Sequence, residues 1–373
     1  MRVVIQYKRG TVPHLDGIVA FLSNYGNPQY FMLKQRGGRD RMELLAADIG
    51  GTNSRFSLFS YREGTLALRG SIVVSSQVES FAALLDKLFT CWPVEWVELG
   101  RASMLAFAAA GPVRDGRIEM TNASFAVEEA QCRNFFPDAR VRLMNDFEAQ
   151  AWACLSPVFA EAECLMPGAC APERAGVAPA FESGRPVAVV GAGTGLGAAW
   201  LMPGGEDSFV LPSEAGHVPF PFDVSDAEEA GFAAFLTERL GAQPKAGQVL
   251  SGSGLAHLHA FFTGSLDDPA RFTSALSFTE SDTCRLFSRF YGRFCRMAAL
   301  SLLPQAVVVT GGVAGRTPAL VRHAEFSREF LRAAGSHGEF LRRVPVWLNR
   351  HAQSGLWGAA CAAAALAAQG EAR

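Results

Sequence analysis

The chain has 373 residues, of which 49% are hydrophobic and 19% are charged, and its formal net charge at pH 7 is −2. This length and composition predict an ordinary soluble globular protein, large enough for two domains and a substantial core. The small net charge argues against nucleic acid or an anionic membrane as the main partner, and no stretch reaches the ~20 apolar residues of a membrane span.

The first 41 residues differ in composition from the rest of the chain. They carry seven basic residues against two acidic ones, Asp16 and Asp40, and show no hydrophobic period. Their apolar segment at 17–22 is too short for the core of a signal peptide, so we do not expect secretion. We expect residues 1–41 to be a poorly ordered extension, whose translation in the cell is itself open, and the compact protein to begin at Met42.

The eight cysteines are scattered along the chain. None forms a C-x-x-C pair, and the histidines do not stand with them at the spacing of a zinc finger. We therefore expect free, buried thiols in a reducing cytoplasm rather than disulfides.

The first half of the chain alternates apolar strands with helical segments, which predicts an α/β fold. The predicted elements are a hairpin at 44–61, a strand at 70–75, a helix at 78–89, a strand at 103–110, a hairpin at 113–120, a strand at 141–144 and a helix that begins at Asp146.

The second half restarts this pattern after a segment rich in Ala, Pro and Gly at 160–186, which predicts a surface connection. A strand begins at Val187. Ser225 and Glu228 have capping-box spacing, and Gly241 ends their helix. Aromatic residues recur at helical spacing within 282–303, which favours a core helix over a cofactor site. A buried strand at 306–309 follows, and the alanine-rich tail at 355–368 predicts a terminal helix.

Two glycine-rich turns, built alike, each separate two apolar segments. The first is Ala47-Asp48-Ile49-Gly50-Gly51-Thr52-Asn53, and the second is Gly191-Ala192-Gly193-Thr194-Gly195-Leu196-Gly197. The backbone N–H groups of such turns can face an anion, so the pair predicts a duplicated α/β unit that closes on a phosphate. A third turn, Gly311-Gly312, follows a buried strand at the end where ligands of α/β sheets bind. A nucleotide-using enzyme is therefore expected, although neither a P-loop nor a protein-kinase motif occurs.

Carboxylates stand beside these turns. Asp48 ends the strand before the first turn and is a candidate to hold Mg²⁺ through water, the alternative being a turn-capping aspartate. Asp146 follows a buried strand and is a candidate general base, although Asn145 with Glu148 also matches a capping box.

Glu214 and His217 lie in a loop between apolar segments. Two polar side chains at this spacing can both hydrogen-bond sugar hydroxyls. A metal pair would need a third ligand, which is not evident. The remaining alternative is an ordinary surface loop.

Seven motifs, taken in order, resemble the bacterial glucokinases of the actin/Hsp70/hexokinase superfamily. They are A-D-I-G-G-T-N-S-R, M-T-N, M-N-D-F, G-A-G-T-G-L-G, L-P-S-E-A-G-H-V, V-L-S-G-S-G-L and T-G-G-V. The chain does not resemble the repressor–kinase branch, because the cysteine-rich zinc motif of that branch is missing. The resemblance implies two ribonuclease-H-like lobes of mixed sheet flanked by helices, with an interlobe cleft. The small lobe would span 42–156, completed by the terminal helix at 351–373, and the large lobe would span 157–350.

The resemblance also implies roles for single residues. Asp146 would be the base that deprotonates the sugar 6-hydroxyl. The sugar would be held by Asn122, Asn145, Glu214 and His217. ATP would be bound by Ala47, Asp48, Ile49, Gly50, Gly51, Thr52, Gly191, Gly193, Thr194, Gly195, Gly311 and Gly312. The chain departs from the family at Gly247, where a second sugar-binding glutamate is usual, and at Phe125, where tryptophan is common.

The implied function is Mg²⁺-dependent phosphorylation of glucose at its 6-hydroxyl by ATP, the first step of glycolysis, in the cytoplasm. Whether the chain forms a homodimer is open. Gly247 keeps two alternatives in view: a catalytically weakened sugar sensor or regulator, and a kinase for another hexose. A third alternative is a sugar-independent ATPase like other members of the superfamily.

Overall fold

The computed structural model describes residues 18–20, 31–32, 41–93, 99–120, 123–168 and 181–371. They form two large mixed sheets, a small antiparallel sheet and surrounding helices, which confirms the α/β class. The residues of the predicted extension other than 18–20, 31–32 and 41 lie outside the described residues.

The first sheet has the strand order β1-β5-β4-β3-β6-β10, with β2 also paired to β5. Both β1 and β2 come from the predicted extension. The bounds are β1 Ile18–Ala20, β2 Phe31–Met32, β3 Met42–Ile49, β4 Asn53–Arg62, β5 Thr65–Ser75, β6 Ala102–Ala109 and β10 Arg140–Asn145. The small sheet consists of β7 Val113–Arg114, β8 Arg117–Glu119 and β9 Ala126–Glu128.

The second large sheet has the order β11-β16-β15-β12-β13-β14. Its strands are β11 Glu163–Met166, β12 Val187–Ala192, β13 Leu196–Met202, β14 Phe209–Ser213, β15 Ala306–Thr310 and β16 Val346–Leu348.

The helices of the described residues lie around these sheets. They are α1 Phe81–Cys91, α2 Glu129–Cys132, α3 Asp146–Trp152, α4 Ala227–Leu240, α5 Ala246–Val249, α6 Gly252–Thr263, α7 Pro269–Phe272, α8 Asp282–Leu302, α9 Gly312–Arg316, α10 Ala319–Arg322, α11 Ala324–Phe330, α12 Gly335–Arg343 and α13 Ser354–Glu371.

Three parallel strands of the first sheet end at the same level. Ile49 of β3 lies opposite Ala109 of β6, which in turn lies opposite Asn145 of β10. Asp48 and Asp146 therefore stand at one edge of the sheet, separated by a strand that ends in alanines. In the second sheet, Gly191 of β12 lies opposite Thr310 of β15, so the second and third glycine turns also share an edge.

The terminal helix α13 packs between the two sheets. One core cluster contains Leu44 of β3, Val189 of β12 and a run of buried alanines of α13. At Gly358 the helix approaches α3 so closely that an added methyl group would lie 1.8 Å from the carbonyl oxygen of Ala149. Small residues in α13 are thus a packing requirement.

Two local predictions are wrong. Residues 160–186 are not only a connection, because β11 lies within them and pairs with β16. The helix predicted to begin with a Ser225 cap is instead capped by Asp226, whose carboxylate accepts hydrogen bonds from the N–H groups of Glu228 and Glu229. Ser225 donates to Asp223 at 2.6 Å. Gly241 does end the helix, with a φ of 66°.

Among the described residues, no helix combines the length and apolarity that a membrane span requires. The seven cysteines in this part of the chain are all free, and most are buried. Cys170 lies outside the described residues.

Candidate active site

Asp146 occupies the first turn of α3, directly after β10. Its Oδ1 accepts a hydrogen bond from the Phe147 N–H at 2.9 Å. Desolvation, followed by the negative charges of Asp48 and Glu214, raises its pKa to about 6, against the opposing effect of that hydrogen bond. The carboxylate group is therefore poised to exchange a proton near neutral pH, as a general base requires. Asp48 and Glu214 are therefore both close enough for their charges to act on Asp146.

Asp48 faces a crowded edge of the first sheet. Its side chain keeps 38% of its exposure, and Arg55 Nη1 lies 3.8 Å from its Oδ2. The surrounding protein raises the Asp48 pKa by desolvation, and Arg55 acts in the opposite direction. Repulsion from Asp146 and desolvation both disfavour a bare carboxylate here, and a cation would relieve both.

Asn145 caps α3, but without the predicted glutamate partner. Its Oδ1 accepts from the Phe147 N–H at 2.8 Å, and its Nδ2 donates to the Gly111 carbonyl at 3.1 Å. Glu148 instead pairs with Arg142 at 2.7 Å. A primary amide has a second N–H, and this donor is what Asn145 can still offer to a ligand.

Glu214 and His217 contact each other on an exposed 3-10 turn. The Glu214 Oε2 and the His217 Nδ1 are 3.1 Å apart, and the two side chains are 60% and 68% exposed. Both can therefore reach a ligand. Asn122, the remaining predicted sugar residue, lies outside the described residues.

In the first turn, backbone groups rather than side chains are available to bind a phosphate. Ala47 and Ile49 are buried in the core, so they could meet a phosphate only through their backbone. Gly50 donates its N–H to the Asn53 carbonyl at 3.2 Å, and a methyl group at Gly50 would lie 2.8 Å from that oxygen. Gly51 and Thr52 lie at the accessible tip of the turn.

The four glycines of the second turn have two different functions. Gly193 and Gly195 have open space where a side chain would stand. Gly191 and Gly197 do not, because methyl groups there would lie 2.9 Å and 1.9 Å from the Phe147 ring. Gly193, Thr194 and Gly195 are thus available to a ligand, whereas Gly191 and Gly197 provide the surface on which Phe147 packs.

The second and third turns are held together by Tyr291 of α8. Its buried hydroxyl lies 3.1 Å from the Ala192 N and 3.4 Å from the Thr310 carbonyl oxygen. Gly311 follows with a φ of 91°, a conformation that side chains rarely adopt. The aromatic stripe of α8 is core, as expected, but its tyrosine also supports both turns.

Gly247 is the position where the family resemblance implies a second sugar-binding glutamate. It lies in α5, beside the loop that carries Glu214 and His217. A methyl group there would lie 3.1 Å from the Gly216 carbonyl oxygen and 3.3 Å from the Leu196 N. A side chain at this position would therefore be tightly packed, and the backbone at Gly216 and Leu196 would have to move by a few tenths of an ångström to accept it.

The sequence did not indicate three residues that organise the site: Phe147, Gln150 and Tyr291. Each looks like an ordinary core or helix residue, and its partners lie far away in the chain. One signal was available for Phe147. A tight turn needs only two glycines, so the additional pair at Gly191 and Gly197 pointed to a bulky neighbour.

The described residues contain no cluster of three or more His, Cys, Asp or Glu side chains that could hold a metal ion by themselves. The donor set instead fits a single carboxylate, Asp48, which is partly desolvated and repelled by Asp146. Mg²⁺ is commonly held by one or two carboxylates together with water and substrate phosphates. The site therefore fits Mg²⁺ that arrives with a nucleotide.

Comparisons with known proteins identify the family of this chain. A family model described as Glucokinase matches residues 45–366. The glucokinase of Pseudomonas paraeruginosa is 30% identical over 329 residues, which cover 85% of this chain and 91% of that protein.

Two solved structures share the fold. A glucokinase from an Antarctic psychrotroph has a TM-score of 0.68 at 24% identity, covering 86% of this chain and 98% of its own. A glucokinase of Balamuthia mandrillaris in complex with glucose has a TM-score of 0.67 at 19% identity, covering 87% and 94%. Together with the family match, these similarities show that the chain belongs to the glucokinase family.

Proposed function

We propose that Asp146 is the general base with which this chain transfers the γ-phosphoryl group of ATP to the 6-hydroxyl of glucose. Membership of the glucokinase family makes the chain an ATP-dependent glucose kinase. The observation that supports the role of Asp146 is its raised pKa at a sheet edge shared with Asp48, where the charge of Glu214 also acts on it. The glucose bound by the Balamuthia relative also supports glucose as the acceptor.

In the proposed reaction, the Asp146 carboxylate accepts the proton of the 6-hydroxyl while the sugar oxygen bonds to the γ-phosphorus. The bond from that phosphorus to the bridging oxygen breaks, and ADP leaves. The Phe147 N–H holds Oδ1 of Asp146, which leaves Oδ2 to take the proton. Phosphoryl transfer requires little covalent chemistry from the protein. Most of the catalysis therefore comes from positioning the reactants and from electrostatic stabilisation of the transition state.

We assign phosphate contacts to the accessible parts of the three turns: Gly51, Thr52, Gly193, Thr194, Gly195 and Gly312. Asp48 would hold Mg²⁺ through water, and the ion would neutralise charge on the phosphates. Glu214 and His217 would bind sugar hydroxyls from the exposed turn, with Asn122 and the free N–H of Asn145.

Gly247 supports a second candidate, a kinase with a different hexose preference. Where the family resemblance implies a glutamate, this chain has no side chain and little space for one. An unpaired sugar hydroxyl would cost about 1–3 kcal/mol of binding. Phosphorylation of glucose, mannose, fructose and N-acetylglucosamine, measured in parallel, compares the candidates. ADP release without sugar would indicate an ATPase, and no product from any sugar would indicate a sensor.

The test of the base is Asp146→Ala. Because general-base catalysis contributes about 10²–10⁴-fold, we expect kcat to fall by that factor while ATP still binds. Asp138→Ala, at an exposed aspartate outside the site, is the control. Near-normal turnover of Asp146→Ala would refute the role of Asp146.

We further propose the division into a small lobe, 42–156 with 351–373, and a large lobe, 157–350. The membership of β3–β6 and β10 in one sheet, and the packing of α13 on β3 and α3, support it. A cytoplasmic location and a homodimer also stay predictions. The free thiols are consistent with the reducing cytoplasm.

A further inference from the structure

Gln150 lies one helical turn after Asp146, so both side chains lie on the same side of α3. Its Oε1 accepts two hydrogen bonds, from the Thr310 hydroxyl at 3.1 Å and from the Ser354 hydroxyl at 2.7 Å. Thr310 directly precedes the third glycine turn, and Ser354 begins α13. One amide group therefore joins the helix that carries the base, the third glycine turn and the terminal helix.

These two bonds also orient the other end of the amide. A carbonyl oxygen accepts two hydrogen bonds, so the Gln150 oxygen is saturated and its position is fixed. The Nε2 group then lies beside Gly355, where a built methyl group would be 3.4 Å from Nε2 and 3.8 Å from Oδ2 of Asp48. Gln150 thus stands between the third turn and the carboxylate that precedes the first turn.

The partners of Gln150 are themselves held firmly. Thr310 is 3% exposed, and its carbonyl oxygen lies 3.4 Å from the Tyr291 hydroxyl. Ser354 is 5% exposed. Both donors are buried, so a side chain without the Gln150 oxygen would leave the two hydroxyls without this acceptor. The contact between α3 and the third turn would then lose its hydrogen bond from Thr310.

We propose that Gln150 is a positioning residue for phosphoryl transfer, which sets the place of Asp146 relative to the Thr310–Gly312 turn through its bonds to Thr310 and Ser354. This rests on the proposed function of Asp146 and of the third turn. A displacement of about 1 Å between reacting groups can cost about 100-fold in rate. The hydrogen bond from Thr310 to Gln150 fixes the distance between α3 and the Thr310–Gly312 turn. Its loss is therefore expected to affect kcat more than sugar binding.

The first test is Gln150→Met, which keeps the length of the side chain and removes the acceptor. We expect kcat to fall about tenfold or more and the KM for glucose to stay within about twofold, because Glu214 and His217 lie on another loop. Gln305→Met is the matched control, since the Gln305 side chain also makes several hydrogen bonds but lies outside the site. A kcat of Gln150→Met within about twofold of the wild type would overturn the proposal.

A double-mutant cycle with Thr310→Val distinguishes a loss of the Thr310–Gln150 hydrogen bond from a general disturbance of the structure. If both residues act through one bond, the double variant is no slower than the slower single variant, whereas independent effects multiply. Multiplied losses would overturn the proposal. If Gln150→Met does not fold, Thr310→Val alone must lower kcat, and an unchanged kcat would again overturn it.

Binding of β,γ-imido-ATP distinguishes this proposal from the proposed function. We expect Gln150→Met to weaken binding at least about threefold, and Gln305→Met to leave it unchanged. If the wild-type protein phosphorylates glucose but Gln150→Met behaves like wild type in rate and analogue binding, only the role of Gln150 fails. If the wild type forms no glucose 6-phosphate, the proposed function fails, and analogue binding still decides whether Gln150 positions the third turn.

Discussion

At the scale of the residue, Asp146 is held in a state that benefits chemistry at the expense of stability. Desolvation and the charges of Asp48 and Glu214 disfavour its ionised form, and its pKa rises from 3.8 to about 6. An unfolded aspartate lacks these effects. The folded protein therefore binds the Asp146 proton more tightly than the unfolded chain does, and it pays for ionisation at neutral pH.

We predict that Asp146→Asn is more stable than the wild type at pH 7.5 while it loses turnover. Well below pH 3.8, Asp146 is protonated in both states of the wild type, so this destabilisation is absent. It is still small at pH 4, grows as the pH rises towards about 6, and is complete above that value. The gain is expected to be about 1–3 kcal/mol in the free energy of unfolding. Urea unfolding of both proteins at pH 7.5 and pH 4 measures it.

The two pH values serve as each other's control. A gain that is equal at pH 4 and pH 7.5 would reflect packing rather than charge. An Asp146→Asn protein that is less stable than the wild type at pH 7.5 would contradict the prediction.

Some residues of the candidate site can be recognised from the neighbouring sequence, whereas others have partners that are distant in the chain. The placement of Asp48 and Asp146 at strand ends could be predicted, because an apolar segment precedes each of them and a turn or helix follows. Their mutual influence follows from the parallel register of β3, β6 and β10. Gln150 could not be predicted, because Thr310 and Ser354 lie 160 and 204 positions further along the chain. Its two bonds exist only after both sheets and α13 have assembled.

At the scale of the element, α3 is fixed on two sides by glycines. The Phe147 ring covers Gly191 and Gly197 of the β12–β13 hairpin, and the Ala149 carbonyl lies against Gly358 of α13. The position of Asp146 thus depends on the second sheet and the terminal helix as well as on the strand that precedes it.

We predict that Gly197→Ala destabilises the protein by about 1–3 kcal/mol, because the added methyl group would lie 1.9 Å from the Phe147 ring. The ring or the hairpin must move, and α3 moves with it. Gly100→Ala, where nothing lies within 4 Å of the added group, is the control. Urea unfolding measures both.

A second substitution identifies the cause. In a Phe147→Ala background the ring is gone, so adding Gly197→Ala should cost much less than it does in the wild type. The same cost in both backgrounds would show that the Phe147 ring is not the obstacle.

Elements were predictable where a local pattern decided them. The hairpin of β3 and β4 and the long helix α8 appear close to their predicted bounds, and a strand begins at Val187 as predicted. The strand β11 could not be recognised, because it is short and its pairing with β16 is formed with residues near the end of the chain. The predicted Ser225 cap was wrong by one residue. Asp226, its neighbour, is the residue that accepts hydrogen bonds from the backbone of the helix.

At the scale of the whole molecule, the two large sheets meet around α13. Its alanines and glycines let it lie close to α3 and β3, and one core cluster includes both sheets. The sequence predicted a terminal helix but not its closeness to α3, because an alanine-rich helix has no distinctive apolar face.

We predict that Gly358→Ala lowers both the melting temperature and kcat. Alanine favours a helix over glycine by about 1 kcal/mol, so a gain in stability would be expected at an exposed site. Here the methyl group would lie 1.8 Å from the Ala149 carbonyl oxygen, and separating α13 from α3 is expected to outweigh that gain. Thermal unfolding and the rate of glucose 6-phosphate formation measure the outcome, and an equally stable, fully active Gly358→Ala would contradict the prediction.

The position of α13 has a consequence for synthesis of the protein. The helix α13 is made after the strands of both sheets, and while residues 354–371 are still inside the ribosome, α3 lacks its contact at Gly358 and its bond to Ser354. A nascent chain can complete most of both sheets, yet we expect the Asp146 carboxylate to stay misplaced until residues 354–371 have emerged from the ribosome. Phosphorylation would then begin only once α13 has packed against α3.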